Sequence, residues 1–520
     1  MKKQYKKTVK ISSWMIMALL LFSLQFAFSK LYAQEKKRDL TVDDYSLWQT
    51  LRLVKLADDG KWVSYNMHYE SGLDTLFVKQ TKSLKKYAFP LGYEGNFIET
   101  DWFSCMSAKG LHLVNLKTGK QETIFHARKY VYSPLDKRLI ILINEKGKES
   151  TMLIRGVDGS SEKRFDGINA FITDPSKQKI LFTSKVADTH IIGLLEVSGE
   201  MKKKVLLAGP SNFTNLIWHD KGGAFAFIQN SVKKSDSDNS LFYYDLSTKK
   251  LYGSNIPDLK NRFLGDSLFI SNSQLKISDD LQKVFFVVQQ KAKSKTTMKS
   301  EVEVWNGNAK WIYPMEEKYK TTKKLALWLP FEDRHQFISN DTLPKYMLTG
   351  DQKYAILSDP KKYEPQVSYD GLRDFYLMDL SKGTKELFLK KHSSLESNTI
   401  PSPSGKYITY FKEKHWWIYD IEKKSHTNIT KNLGANFYNN DKQHPELPEN
   451  EFPYENFGWT IDEEEILVYD HYDIWAIRPD GTTARRLTKG KETQTQFRLA
   501  GFGSHIQISK RNYDGKIYDI

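Results

Sequence analysis

Apolar and polar positions along this chain alternate in short runs rather than long ones. From Thr399 to Thr430 the sequence reads TIPSPSGKYITYFKEKHWWIYDIEKKSHTNIT. A turn of small and charged residues leads into a run rich in apolar and β-branched positions (Tyr407, Thr409, Phe411), and a second run follows around Trp416-Trp417-Ile418-Tyr419. Further along, YENFGWTIDEEEILVYDHYDIWAIRPDGTTARRLT repeats the plan, with Ile466 and Val468 in one run and Ile474-Trp475-Ala476-Ile477 in the next. Runs of roughly four to eight such residues, bounded by Gly, Pro, Asp and Ser, are too short for ordinary helices and predict strands. Each copy therefore predicts a small antiparallel meander.

The turn and first strand recur at 56–66, 132–144, 172–184, 217–229, 276–288, 347–359, 401–411 and 459–469, with a half-copy, GLHLVNLKTGKQETIF, at 110–125. Anchors lie roughly 40 to 75 residues apart, the range of propeller blades with insertions. A four-stranded unit of this kind cannot cover both of its faces, so copies must stack about an axis. The fold class expected is all-β, a β-propeller of about seven to eight four-stranded blades. Its last stretch, from Phe497 to Ile520, has strands such as HIQIS and KIYDI without the aromatic partner strand of the best copies, so the ring reads as incomplete at its C-terminus. The longer gaps, 230–240, 289–303 and 434–457, are polar and read as loops projecting from one end of the propeller, where long loops carry contacts.

The turn itself has a mechanism. In SPSGK and ADDGK a Ser or Asp side chain accepts from nearby backbone and Gly supplies a positive φ, while in SPSGK Pro also fixes φ. No Gly-rich loop leading into a helix accompanies these turns, so they are hairpin chemistry and not a phosphate site.

Composition supports a packed β core: 40% of residues are hydrophobic and 13% aromatic. The N-terminus changes the picture more. Lys2, Lys3, Lys6, Lys7 and Lys10 precede an uncharged, largely apolar run from Trp14 to Ser29, shorter than a membrane span and laid out as a secretory signal peptide. The expected domains are a signal peptide at 1–33 and the propeller at 34–520, with export to the periplasm or medium and no stable membrane anchor after cleavage. A cut after Ala33 removes six of the lysines and lowers the formal charge from +15 to +9. What remains is spread over turns, the pattern of a solvated surface, so nucleic acid is not an expected partner. Cys105, the only cysteine, sits in the strand-like DWFSCMS and reads as a small apolar filler.

The turn-strand SPSGKYITY, the partner strand WWIYDIEKK and the closing ARRLTKG resemble the N-terminal β-propeller of the prolyl oligopeptidase family of serine peptidases, the group of dipeptidyl and acylaminoacyl peptidases. The resemblance covers most of the chain after residue 33. The propeller of the periplasmic translocation protein TolB uses nearly the same turn. In the family an α/β-hydrolase domain follows, its nucleophile raised on a G-x-S-x-G elbow where a histidine and two backbone N–H groups reach it. No G-x-S-x-G occurs in these 520 residues.

Candidate chemistry is sparse. Ser504 and His505 are adjacent, and adjacent strand residues point to opposite faces, so a nucleophile and base pair is not expected. Glu316 and Glu317 match in kind the double glutamate with which the dipeptidyl peptidases of this family grip a substrate amino group, but Lys318 beside them and their loop setting also suit an ordinary surface pair. The acidic run 462–465 reads as a solvated hairpin turn. Asn212, Asn340 and Asn428 open N-x-[ST] sequons. The histidines show no metal-ligand spacing, so no catalytic residue, metal or cofactor is expected in this chain. The expected function is the substrate-gating propeller portion of an exported serine peptidase, with a short peptide as partner. The alternative is a free-standing TolB-like propeller that binds a protein partner through its loops.

Overall fold

The computed structural model describes residues 39–231, 239–254, 259–265, 268–273, 275–290, 306–311, 323–365, 371–395, 398–439, 452–454, 456–460, 463–499 and 517–518. The chain divides into two compact units, 1–95 and 96–520. The described residues form nine sheets, each built on four antiparallel strands in chain order: 49–90, 93–125, 127–166, 168–209, 213–253, 268–337, 345–393, 399–428 and 456–486, the sixth holding a fifth short strand at Lys276–Ile277. This is the all-β propeller architecture expected, with nine sheets where seven to eight were read from the turn signature. The uncounted sheet is the second. Its first turn spans only 99–101, so the signature is missing, and the half-copy at 110–125 is its third and fourth strands, Gly110–Asn115 and Gln121–Phe125. The segment KIYDI, expected to lack a partner, pairs through Ile517–Tyr518 in parallel with Trp459 and Thr460.

In the first unit, a 3-10 helix at Val42–Leu47 leads into the first sheet. One face of that sheet is buried through Trp62, Ser64, Leu76, Val78 and Phe89. Its other face carries Leu51 and Leu53, exposed, in register with Met67 and with the stacked pair Tyr65 and Phe77.

In the second unit, alternate residues of one strand enter different cores. In Arg138–Ile143, Leu139 and Ile141 pack with Met106, Leu111 and Leu113 of the second sheet, whereas Ile140 packs with Phe171, Ile180 and Phe182 of the fourth. In Ala224–Gln229, Phe225 and Phe227 join Leu181 and Ile192 of the fourth sheet, and Ala224, Ala226 and Ile228 join Val284, Phe286 and Val288 of the sixth. The same sharing continues through Ala355 and Leu357 on one face and Ile356 on the other, and ends with Trp416 and Trp459 in the core between the eighth and ninth sheets. Because both faces are covered, the central strands read as unbroken apolar runs instead of alternating ones. The outer strands are guarded differently: Lys86, Lys163, Lys203, Lys250, Arg334 and Lys385 each open a fourth strand, placing a cation on an edge that would otherwise pair with another molecule.

The signature turns keep one geometry through varied sequence. Gly60, Lys137, Lys177, Gly222, Leu281, Gln352, Gly405 and Glu463 all have φ between 52° and 76°. In the eighth sheet Gly405 N–H donates to Ser402 O at 3.0 Å, and Ser402 Oγ accepts Tyr407 N–H at 3.1 Å. These turns also touch one another. Asp279 N–H donates to Gln352 Oε1 at 2.8 Å, and Glu463 accepts both the N–H and the hydroxyl of Ser404. A Cβ added at Gly350 would lie 2.1 Å from Pro403 O and 2.4 Å from Ser402 O, so the seventh turn meets the eighth backbone to backbone.

Two outcomes follow from this packing. Ile140→Ala and Ile141→Ala, neighbours on opposite faces, should each lower stability by about 2–5 kcal/mol in urea titrations; a near-zero cost for either would mean one face is not a core. Gly350→Ala should cost about 1–3 kcal/mol by overpacking, a loss that the Gly307→Ala control, at an open position, should not show.

Candidate functional site

In a meander the connections between first and second strands, and between third and fourth, leave one end of the sheet. Those between second and third strands, and between sheets, leave the other. At the first end every connection is short: 57–61, 174–178, 219–223, 349–353 and 402–406 are typical, with 197–202 and 278–283 among the longest. All the long connections, 230–239, 254–267, 291–322, 359–371 and 429–455, leave the second end. The three polar gaps singled out in the sequence start and finish at this end, and most of their residues lie outside the described ones.

Where two of these connections meet, described residues form a compact cluster. Lys310 Nζ donates to Lys361 O at 3.1 Å, and the Lys361 ammonium lies 4.6 Å from the ring centre of the buried Trp311. The next residues reach Asp374, which is 1% exposed: Tyr363 hydroxyl donates to its Oδ1 at 2.7 Å and Lys362 Nζ pairs with its Oδ2. Asp374 lies at a β-bulge of Leu372–Asp379, where the register shifts between Arg373 and Phe375. The bulge frees the N–H of Lys391 from the ladder, and Asp374 Oδ1 accepts it at 2.8 Å. Burial raises the Asp374 pKa, but the hydrogen bonds from Lys362, Tyr363 and Lys391 outweigh it and hold the carboxyl below its ordinary value. Beside it His392 is buried between Phe375 and Tyr410, and desolvation lowers its pKa to about 4. The cluster has no nucleophile aligned with a base. It is an anchor that ties the 359–365 segment to a rigid strand.

At the same end of the ninth sheet the chain beyond Ala484–Arg486 crosses the turn 470–473. Asp473, fully buried, accepts Thr488 Oγ1 at 2.6 Å and the N–H of Gly490 at 2.5 Å, and Arg498 donates to Asp470 O and His471 O, each at 3.1 Å.

Glu316, Glu317, Ser504 and His505 lie outside the described residues. The acidic run lies in the hairpin connection expected, with Asp462 outside the described residues and Glu464 exposed, while Glu463 meets Ser404 of the neighbouring turn and Glu465 pairs with Arg485. The sequon asparagines serve as local acceptors. Asn340 Oδ1 takes Thr342 N–H at 3.0 Å, Asn428 Oδ1 takes Thr430 N–H at 3.1 Å, and Asn212 Oδ1 takes Asn230 Nδ2 at 3.0 Å. Cys105 is buried and desolvation pushes its thiol up to about 12, which removes it from nucleophilic chemistry at neutral pH. Among the described residues no group of three His, Cys, Asp or Glu is placed to hold a metal ion, and no helix is long and apolar enough to cross a membrane. The Asp374 anchor escapes sequence reading because its partners are Lys362-Tyr363 and a backbone N–H seventeen residues away, with no motif linking them.

No family model matches the chain, and no curated protein matches it. Among solved structures it is similar to the tricorn protease at 9% identity and TM-score 0.31, over 71% of this chain and 38% of that one. It is similar to the β-propeller domain of the Trilobed protease from Pyrococcus furiosus at 13% and 0.29, over 66% and 99% of the two chains. It is similar to Porphyromonas gingivalis dipeptidyl peptidase 4 at 11% and 0.32, over 69% and 53%. The chain thus spans well under two thirds of the tricorn and dipeptidyl peptidase chains.

The anchor predicts a pH signature. Asp374→Asn should lower stability at neutral pH by about 1–3 kcal/mol, since Lys362 keeps 41% of its side chain exposed and water screens the pair. A carboxyl whose pKa is lowered on folding stabilises above its ordinary value and loses that contribution as pH falls through the folded value. Urea midpoints of the parent and the variant should therefore differ at pH 7 and converge below about pH 4. A difference that is the same at both pH values would show that the carboxylate charge is not what holds the segment.

Proposed function

We propose that this chain is the propeller portion of an exported serine peptidase of the prolyl oligopeptidase family. It performs no chemistry itself, and its long-connection end admits and helps hold short peptides whose hydrolysis belongs to residues outside these 520. The observation that carries the reading is the asymmetry of the two ends. One end is closed by short turns that touch each other, as Asp279 and Gln352 do, while the other carries every long connection on a rigid scaffold. Variable loops on a fixed frame are the usual means of selecting a ligand. The Trp311, Lys361 and Asp374 contacts give two of those loops a defined position. The SPSGKYITY-type turns supply the family resemblance, and the Lys-rich, then apolar, N-terminus supplies the reason to propose export.

The mass and reading frame of the native polypeptide test the proposal. Continuation into strand–helix alternation with a G-x-S-x-G elbow is the result expected. A native polypeptide without that domain would favour the protein-binding alternative. This chain by itself should not cleave dipeptidyl chromogenic substrates, since its sequence holds no G-x-S-x-G elbow and no activated nucleophile with a base and an oxyanion hole stands among the described residues. Cleavage abolished by a serine-directed phosphonate that labels one of its residues would overturn that.

A further inference from the structure

At the long-connection end of the fifth and sixth sheets, neutral polar side chains gather into one network. Asn230 Nδ2 donates to Asn212 Oδ1 at 3.0 Å, and the Thr214 hydroxyl faces two acceptors, Asn272 Oδ1 at 2.7 Å and Asn230 Oδ1 at 3.1 Å. Asn239 Nδ2 donates to Ile270 O at 2.8 Å, and Ser271 reaches Gln289 at 3.2 Å. None of these side chains is charged, in a chain that is 27% charged. A hydroxyl has one proton. Given to the nearer acceptor, Asn272, it leaves Asn230 Oδ1 without a donor, while the Nδ2 groups of the exposed Asn212 and Asn272 have no acceptor among the described residues.

We propose that this network is a binding site for the main chain of an extended peptide. The groups left over are one acceptor and two donors, the complement of a peptide's N–H and C=O groups, and an amide side chain matches a main-chain amide on both counts. Their neutrality suits the main chain and not a charged terminus, which calls for a carboxylate or a guanidinium. A sugar would use similar hydrogen bonds but also stack on an exposed ring, and among the described residues of these two sheets the exposed ring, Phe331, lies in the 330–333 connection at the opposite end. The site deepens the peptide-admitting reading and rests on it.

The test titrates the full chain with a fluorophore-labelled tetrapeptide of Ala and Ser, blocked at both termini. In parallel it uses the same peptide with one amide replaced by an ester, and a neutral glucose oligosaccharide. Binding of the blocked peptide is expected, weakened about tenfold by the ester, by Asn272→Ala and by Asn230→Ala, and unchanged by Asn340→Ala elsewhere at this end. The ester comparison needs no variant, so it stands if Asn230→Ala fails to fold. No peptide binding up to about 10 mM, equal binding by ester and amide, or binding of the oligosaccharide alone would each overturn the proposal. Native mass and reading frame do not enter this titration, so the two readings fail separately.

Discussion

A four-stranded sheet with apolar residues on both faces is unstable until something covers both, and that constraint organises the molecule. Leu139 and Ile141 need the second sheet and Ile140 needs the fourth, so the third sheet has no folded state apart from its neighbours. Burying one such side chain is worth about 1.5–3 kcal/mol, and Arg138–Ile143 supplies two to each side, Leu139 and Ile141 to one and Ile140 and Leu142 to the other. The repeat in the sequence is the record of this requirement. Each copy must offer the same two faces, while its loops are free to differ.

The asymmetry of the two ends has the same origin. Stacked sheets bring the first turns side by side, and there the backbone is already committed: Gly350 lies against Ser402 and Pro403, and Glu463 receives Ser404. An insertion at that end would break contacts between sheets. At the other end the links of the fifth and sixth sheets run through side chains, Thr214 to Asn272 and Asn239 to a carbonyl, and long connections are accommodated. The long connections are thereby confined to one end.

How much of this was legible follows from which residues carry it. The meanders and the turn could be read because hydrophobic period and turn chemistry are local. Glycine marks the left-handed turn position at Gly60, Gly222 and Gly405, but Lys137, Lys177, Leu281, Gln352 and Glu463 adopt it without a sequence signal. The second sheet was half hidden because its turn at 99–101 departs from the rule. The Asp374 anchor and the asparagine network were invisible. Their members are ordinary polar residues that only sheet order and a bulge bring together, and such placement has no counterpart in spacing along the chain.

The largely sequential order of strands also bears on how the protein reaches this state. Apart from Ile517–Tyr518 and Leu268–Ile270, which pairs across the short strand Lys276–Ile277, every strand pairs with its immediate predecessor or successor in the chain. Most of these hairpins close small loops, 291–322 being the chief exception, which keeps the entropy cost of most pairing steps low and the rate high. Stability arrives only when adjacent sheets dock, so assembly is expected to spread from neighbour to neighbour. A sheet emerging during synthesis would hold one uncovered face until the next one is complete.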